Sequence, residues 1–339
     1  MDGELFCLKH LETIHIIGQG IAGTILSYSL ELKGIPYHVY DLGTNKGASH
    51  VAAGVFNPIV PKRLIPSWRA AEFLDFNAQF YPKFEAFLKS KFYHPTPFHK
   101  LLTPDELDFW NKKAAEEDSF LSPAGESSAT IKGLSGNFFL GKINQSGLVD
   151  VQTMLKAWKD YLLSQNKLSL GSYKVGTNAM EIDCTGTSLS EPYQKALKPT
   201  KGEALLVSIP ELKLDSIIKK QAFIVPLKDQ QFWVGSTFNW KDISLEPTPD
   251  GRKELETKLR KMITVDYEVL EHFSGVRPTS YDRRAILKAP KMHELGVFNG
   301  LGTRGVLQSP TLSTWLIMKL LDDNFTLDKE IDYCRIKNN

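Results

Sequence analysis

Three glycines lie at a spacing that could bind a phosphate group. Gly18, Gly20 and Gly23 form a GxGxxG pattern between an apolar run, 14–17, and a helical pattern that continues to Leu32. The first glycine permits a tight turn, the second lets a pyrophosphate approach the backbone, and the third lets the helix pack closely on the strand. The helix N-terminus adds unpaired N–H groups and the positive end of its dipole. The pattern therefore predicts a phosphate-binding turn.

An acidic residue follows this turn at a distance that suits a ribose. After Gly34, a second apolar run, 37–40, ends in Asp41. A carboxylate at the end of the second strand can accept hydrogen bonds from ribose hydroxyls. The order of strand, glycine turn, helix, strand and acid predicts a dinucleotide site rather than a glycine-rich packing turn. The motif alone does not distinguish FAD from NAD.

A third candidate group is an arginine near the end of a strand-like segment, 267–278. Arg277 carries a planar guanidinium that can hold a carboxylate through two parallel hydrogen bonds. The residues alone do not distinguish this carboxylate-binding role from a structural role in which Arg277 pairs with a buried acid. No histidine, glutamate or aspartate stands out as a catalytic acid or base, and no metal ligand set is present in the sequence pattern.

Composition sets broader limits. The chain has 339 residues, a formal net charge of +2 and 42% apolar residues, which predicts about two domains with a sizeable core. So small a net charge argues against nucleic acid or an anionic membrane as a partner. The three cysteines, Cys7, Cys184 and Cys334, predict neither a disulfide framework nor a metal cluster and fit a reducing compartment. Segment 1–10 lacks a signal-peptide pattern, so we expect a cytoplasmic protein without a membrane span.

The remaining patterns predict the elements that must position these groups. Small residues at 48–54 would allow backbone to lie against a large flat ligand. Between 201 and 238, short β-rich runs predict antiparallel strands of a separate sheet. Helices are predicted at 67–92, from an N-cap at Thr248 to 263, and from Pro310 to Leu321.

The chain resembles the D-amino-acid oxidase and glycine oxidase family of FAD-dependent amine oxidoreductases over most of its length. The resemblance rests on ordered motifs: GQGIAG (18–23), ASHVAAG (48–54), CTG (184–186), LKPTKGEALLV (197–207), AFIVPLKDQQFWVGST (222–237), GVRPTSYDRRAIL (275–287) and GLGTRGV (300–306). It implies an α/β fold, in which an FAD-binding Rossmann-like domain carries an inserted α+β substrate domain built on an antiparallel sheet. The expected FAD-binding domain comprises 1–60, 141–195 and 266–339, and the substrate domain 61–140 and 196–265.

The resemblance also implies roles for individual residues. Those expected to contact non-covalent FAD are Gly18, Gly20, Ile21, Ala22, Gly23, Asp41, Leu42, Ala48, Ser49, Ala53, Gly54, Val55, Thr185, Gly186, Gly302, Thr303, Arg304, Gly305 and Val306. Arg277 matches the family's carboxylate-binding arginine and is expected to bind the substrate. Tyr281 is a second candidate for substrate binding, as a hydroxyl donor, only because it is close to Arg277 in sequence. No tyrosine at 222–240 matches the family's gating tyrosine. Arg283 and Arg284 put two more positive charges soon after Asp282, where many members of the family carry fewer.

The implied reaction oxidises the C–N bond of an amino acid or related carboxylate-bearing amine, with hydride transfer to flavin N5. Oxygen or another electron acceptor would reoxidise the flavin, and no side chain is assigned as acid or base. Three alternatives stay open: oxidation of an aminomethyl-modified tRNA base, an NAD-dependent dehydrogenase, and a non-catalytic FAD-binding protein.

Overall fold

The computed structural model describes residues 12–44, 46–125, 127–174, 176 and 179–337. Cys7 and the rest of the N-terminal segment considered above lie outside these ranges. The helices are α1 Ile21–Leu32, α2 Ala70–Leu88, α3 Pro104–Ala114, α4 Val151–Ser164, α5 Pro249–Arg260, α6 Gly305–Leu321 and α7 Cys334–Lys337. Within the described ranges, we find no helix whose length and hydropathy would let it cross a membrane.

The strands form four sheets. In chain order they are β1 Ile14–Ile17, β2 Tyr37–Asp41, β3 Val55–Phe56, β4 Ile59–Val60, β5 Ile65–Pro66, β6 Tyr93–Pro95, β7 Phe98–Leu102, β8 Phe139–Ile143, β9 Gly147–Val149, β10 Leu168–Leu170, β11 Met180–Asp183, β12 Thr200–Ser208, β13 Ile217–Lys219, β14 Phe223–Pro226, β15 Gln231–Gly235, β16 Glu268–Arg277, β17 Ile286–Lys288 and β18 Gly296–Asn299. Two sheets are large; β3, β9 and β6 form a third, and β4 and β5 a fourth.

The six-stranded sheet has the order β10-β2-β1-β11-β18-β17. Its neighbours pair in parallel except β17, which runs antiparallel to β18. Helix α1 packs against this sheet through fully buried apolar side chains such as Ile25 and Leu26, and helix α6 adds Leu312. The strands of a parallel sheet are buried on both faces and are therefore apolar along their length, as the runs at 14–17 and 37–40 are. The predicted strand–helix–strand unit is confirmed.

The seven-stranded sheet has the order β16-β12-β15-β14-β13-β7-β8. Its pairs are antiparallel except β13 with β7. One face is covered by α5, whose Leu255 and Leu259 are fully buried against strand residues such as Leu205. Helix α5 begins as predicted, because the Thr248 hydroxyl accepts a hydrogen bond of 3.0 Å from the Gly251 N–H.

Two helices differ from the prediction. Helix α2 is shorter than 67–92 at both ends and continues through Pro82. Helix α6 begins at Gly305, not at Pro310. Proline lacks an N–H, so Pro310 cannot donate to the Val306 carbonyl. The hydroxyl of Tyr81 on α2 donates to that carbonyl instead, at 2.6 Å. Tertiary contact thus allows a proline inside the helix.

The division into two discontinuous domains stays a prediction; one strand of the seven-stranded sheet lies within the expected FAD-binding part, and another crosses an expected boundary. Strand β16 was expected in the FAD-binding part, yet it pairs along β12 from Glu268 to Arg277 within the seven-stranded sheet. Strand β8 crosses the expected boundary at 140/141. Strand β16 belongs to the seven-stranded sheet because it pairs with β12 as an edge strand. The chain joins the six-stranded sheet again only at β17.

Candidate active site

A cavity of about 820 Å³ lies at the carboxyl ends of the parallel strands and extends along the seven-stranded sheet. It is bordered by residues that follow β1, β2 and β11, such as Gly18, Leu42 and Cys184. Open α/β sheets bind ligands at this edge. The first residues of α1 and of α6 also line the cavity, so two helix N-termini with their positive dipole ends border one space.

The glycine turn brings backbone next to the cavity. Gly18 has φ +99°, and a Cβ on it would lie 2.9 Å from the Cys184 carbonyl oxygen. A Cβ on Gly23 would lie 1.9 Å from the Gly18 carbonyl oxygen. Gly23 therefore acts through close packing of α1 on the turn and does not itself line the cavity. Gly20 lines it, and a side chain there would face the Ser49 hydroxyl.

The Asp41 carboxylate is oriented by the backbone on both sides. One oxygen accepts a hydrogen bond of 2.8 Å from the Gln19 N–H, and the other accepts one of 2.7 Å from the Gly43 N–H. Each carboxylate oxygen keeps a further lone pair for another donor. Asp41 lines the cavity next to Leu42, which is where a ribose-binding acid is expected.

Replacing Asp41 with alanine is expected to lower flavin occupancy, because the ribose hydroxyls lose a charged acceptor worth roughly 1.5–3 kcal/mol. Occupancy is measured from the ratio of flavin to protein absorbance, and affinity by titrating apoprotein with FAD. Asp41→Asn keeps the shape and is expected to lie between alanine and the wild type. Full occupancy in Asp41→Ala would contradict a ribose role.

Segment 48–55 lies between α1 and β16. The Ser49 hydroxyl accepts a hydrogen bond of 3.1 Å from the Ile21 N–H at the start of α1. Gly54 has φ +68°, and a Cβ there would lie 1.8 Å from the Val149 carbonyl oxygen. These contacts fix the segment along the cavity, and its residues Ala48, Ser49, Ala53, Gly54 and Val55 all line it.

The CTG turn after β11 is held by a buried acid. The Asp183 carboxylate accepts hydrogen bonds from the Thr185 N–H at 2.9 Å and hydroxyl at 2.6 Å, and from the Ser190 hydroxyl at 2.8 Å. These hydrogen bonds stabilise the buried Asp183 carboxylate with donors from the loop that follows it. Thr185 and Gly186 consequently present a fixed turn to the cavity.

The start of α6 forms another wall. Residues 302–306 line the cavity, and Arg304 is the N-cap of the helix. The Arg304 guanidinium donates to the carbonyls of Asn57 and Ile59, at 3.2 and 2.9 Å, and burial lowers its pKa. Arg304 therefore joins the α6 loop to the 57–59 segment, while the backbone of the loop faces the cavity.

At the other end of the cavity, the Arg277 guanidinium has no counterion among the described residues. Its Nη2 donates to the Ser236 hydroxyl at 2.7 Å, and its Cζ lies 4.7 Å from the ring centre of Phe238. Nη1 is buried without a hydrogen-bond partner among the described residues, and none of the carboxylates they carry pairs with Arg277. Burial lowers the pKa of Arg277 to about 10, so the group is still cationic near neutral pH. An unpaired buried cation of this kind is a site for an anionic ligand.

The wall around Arg277 is apolar and aromatic. Phe223, Trp233, Phe238 and Phe273 line it, and the Trp233 indole donates to the Val51 carbonyl at 3.2 Å. Gly202 lies directly beneath the arginine, since a Cβ there would be 2.0 Å from Nη2. Sequence reasoning missed Ser236 and Gly202. The GST run after β15 and the glycine inside β12 were the available signals.

The cavity brings together every predicted site residue except two. Gly23 lies outside the cavity lining, where it lets α1 pack closely on the glycine turn. Tyr281 requires correction: its side chain is 69% exposed and lies outside the cavity lining. Strand β16 ends at Arg277, and the chain then turns away. Arg283 and Arg284, which carry the extra positive charge considered above, likewise lie outside the cavity lining. Arg284 pairs with Glu330 at 2.6 Å.

The cavity fits a flavin dinucleotide. Glycine backbone and the α1 N-terminus suit a pyrophosphate, Asp41 suits a ribose, and the α6 N-terminus suits a group that gains negative charge on reduction. Within the described residues, no group of three or more His, Cys, Asp or Glu side chains is placed to hold a metal ion.

Comparison with known proteins agrees with this geometry. Residues 167–317 match the family model described as DAO, FAD dependent oxidoreductase. This part of the chain is an FAD-dependent oxidoreductase domain of the DAO family.

Among solved structures, glycine oxidase from Geobacillus kaustophilus superposes with a TM-score of 0.74 at 19% identity, covering 95% of this chain and 98% of that one. The curated glycine oxidase of Pseudomonas putida is 23% identical, covering 78% of this chain and 82% of that protein. The tRNA 5-methylaminomethyl-2-thiouridine biosynthesis bifunctional protein MnmC of Marinobacter nauticus is 23% identical over 97% of this chain. The chain spans 59% of the length of that protein.

Proposed function

We propose that the protein oxidises the C–N bond of an amino acid or related amine that carries a carboxylate, using non-covalently bound FAD. The observation that carries this proposal is Arg277, a buried guanidinium in the cavity with a free Nη1 and no acidic partner among the described residues. A substrate carboxylate would supply the missing acceptor through two parallel hydrogen bonds. Glycine oxidases among its relatives agree with an amine substrate.

The residues around Arg277 determine how such a substrate would bind. Arg277 holds the carboxylate, and the Ser236 hydroxyl fixes one guanidinium nitrogen. Phe223, Trp233 and Phe238 exclude water from the remainder of the substrate. Bound FAD supplies the chemistry of a two-electron acceptor. The protein contributes position and electrostatics, since it aligns the Cα–H bond for hydride transfer.

Among the described residues, the wall around Arg277 carries no group suited to take the amine proton. The lining residues from β12, β14, β15, β16 and the loop after β15 are Gly202, Ala204, Phe223, Trp233, Ser236, Phe238, Leu245, Phe273, Gly275, Val276 and Arg277. None of these is a carboxylate, an imidazole or an amine. The substrate amine therefore reacts in its neutral form. As the C–H bond breaks, its electron pair would leave with the hydrogen to the two-electron acceptor, and the nitrogen lone pair would form the C=N bond of an iminium ion. Water then hydrolyses the iminium ion to a carbonyl compound and ammonia, or to an amine where the substrate nitrogen carries a further substituent.

Anaerobic reduction tests this proposal. Purified protein should show a flavin spectrum that bleaches on addition of one class of carboxylate-bearing amine. The matched amine without the carboxylate, such as methylamine beside glycine, should leave the spectrum oxidised. Readmitting oxygen then shows whether oxygen or another acceptor restores the flavin. A spectrum that no amino acid or N-substituted glycine bleaches would contradict small-molecule amine oxidation.

A second candidate is oxidation of an aminomethyl-modified tRNA base, and one observation favours it. Two curated relatives carry tRNA 5-methylaminomethyl-2-thiouridine biosynthesis in their names and match 97% and 93% of this chain. Against it, a net charge of +2 offers little attraction to phosphates. Bleaching by tRNA bearing an aminomethyl-modified base, with no response to free amino acids, would select this candidate.

A further inference from the structure

The loop between β15 and α5, residues 236–248, forms the wall of the cavity beside Arg277. Ser236 hydrogen-bonds to the guanidinium, Phe238 covers it, and Leu245 also lines the cavity. The Leu245 carbonyl accepts a hydrogen bond from the Ser274 hydroxyl of β16. The conformation of the 236–248 loop therefore determines the space available next to a ligand on Arg277.

A buried lysine holds this loop from behind. The side chain of Lys201 on β12 is 0% exposed, and its ammonium makes three hydrogen bonds. They go to the Asp242 carboxylate at 2.6 Å, the Ser244 hydroxyl at 3.0 Å and the Glu246 carbonyl at 2.6 Å. A lysine has three donors, so all of them are used, and all three acceptors belong to the loop. The charge thus holds the loop to the sheet.

The backbone at Lys201 adds to this attachment. Its N–H donates to the Asn239 carbonyl at 2.9 Å, and its carbonyl accepts from the Asn239 N–H at 3.0 Å. At the far end of the loop, buried Glu203 accepts from the Thr248 N–H and hydroxyl, both at 2.8 Å, and lies 3.8 Å from the Lys201 ammonium. The loop is therefore fixed at its start, middle and end by β12.

Strand alternation separates this attachment from the ligand. Gly202 faces the cavity beneath Arg277, whereas Lys201 is not among the residues that line it. Successive side chains of a strand point to opposite faces of the sheet. Lys201 therefore acts on the cavity only through the loop.

We propose that Lys201 and Asp242 are positioning residues for the carboxylate site, which hold Phe238 and Leu245 against a ligand on Arg277 and so set its affinity and size selection. This rests on the proposed function of Arg277. The partly exposed Asp242 side chain, at 34%, makes a loop-side partner that can be changed without opening the core. The hydrogen bond from Lys201 is also the main reason why the pKa of Asp242 falls to about 2.

The test measures benzoate, a carboxylate without an amine, by its perturbation of the flavin absorbance of the holoenzyme. Lys201→Met and Asp242→Asn should each weaken benzoate binding roughly tenfold, since misplacement of a binding wall lowers affinity without removing the charged anchor. With a turnover substrate, KM should rise by a similar factor while kcat changes less. Asp242→Glu, which keeps the carboxylate, should recover part of the affinity. FAD content should match that of the wild type.

Lys241→Met is the control, because Lys241 is an exposed lysine of the same loop and lies outside the Lys201 cluster. Its benzoate affinity should equal that of the wild type. If Lys201→Met does not fold, Asp242→Asn carries the test alone. Benzoate that binds the wild type, fails to bind Arg277→Met and binds both loop-anchor variants unchanged would overturn only this inference. No benzoate binding to the wild type would overturn the carboxylate site and this inference with it.

Discussion

Replacing Arg277 with methionine is expected to lower kcat/KM for a carboxylate-bearing amine by roughly 10²- to 10³-fold, because two charge-assisted hydrogen bonds are lost at once. The flavin should stay bound, since the arginine lies on β16 beside Phe238 and Ser236, away from the glycine turn. Arg277→Lys keeps the charge but not the planar fork, so it should recover only part of the activity. Steady-state kinetics, together with the flavin spectrum of each variant, provide the measurement.

Two further variants separate the charge from its position. Gly202→Ala keeps the arginine and its charge but puts a Cβ 2.0 Å from its Nη2, so the guanidinium must move and KM should rise. Arg284→Met removes an arginine that pairs with Glu330 outside the cavity, so its kinetics should stay within about twofold of the wild type. Unchanged kinetics in Arg277→Met would show that the substrate carboxylate, if there is one, binds elsewhere.

Short-range patterns explain why the nucleotide-binding part of the fold could be predicted. The first strand, α1 and β2 follow one another within 14–41, and each has its own apolar period and its own glycine boundary. Asp41 lies at the cavity because strand direction and turn length place it there. The N-cap at Thr248 is likewise a local signal that the structure confirms.

The part of the cavity around Arg277 could be predicted less well, because it depends on contacts between residues that are far apart in the sequence. Ser236 reaches Arg277 only because β12 pairs with β15 on one side and β16 on the other. Tyr281 is four residues from Arg277 along the chain, yet the chain leaves the sheet at Arg277 and exposes it. Helix α6 begins before Pro310 because Tyr81 from another helix satisfies the Val306 carbonyl. The positions of Ser236 and of the start of α6 thus depend on partners distant in sequence, and the position of Tyr281 depends on where the chain leaves the sheet.

Gly18→Ala is expected to reduce bound FAD to roughly a tenth of the wild-type content or less, because a side chain there opposes both the turn and the close approach of a pyrophosphate. The residue has φ +99°, a conformation that costs an L-residue roughly 1–2 kcal/mol. Its Cβ would also lie 2.9 Å from the Cys184 carbonyl oxygen, so the CTG turn beside it must shift. Flavin content of purified protein and FAD titration of the apoprotein measure the loss.

Gly34→Ala separates backbone strain from close approach. Gly34 follows the C-cap of α1 with φ +66°, so alanine there meets a comparable conformational cost, but among the described residues no atom beyond the two chain neighbours lies within 4 Å of the added Cβ. This variant should lose some thermal stability and keep its flavin. Equal loss of FAD in both variants would mean that strain in the nucleotide-binding unit, and not the approach of the pyrophosphate, accounts for the effect of Gly18→Ala. Full FAD content in Gly18→Ala would contradict the assignment of the glycine turn, and the dinucleotide would then have to be held mainly by the Asp41 side of the cavity and the α6 loop.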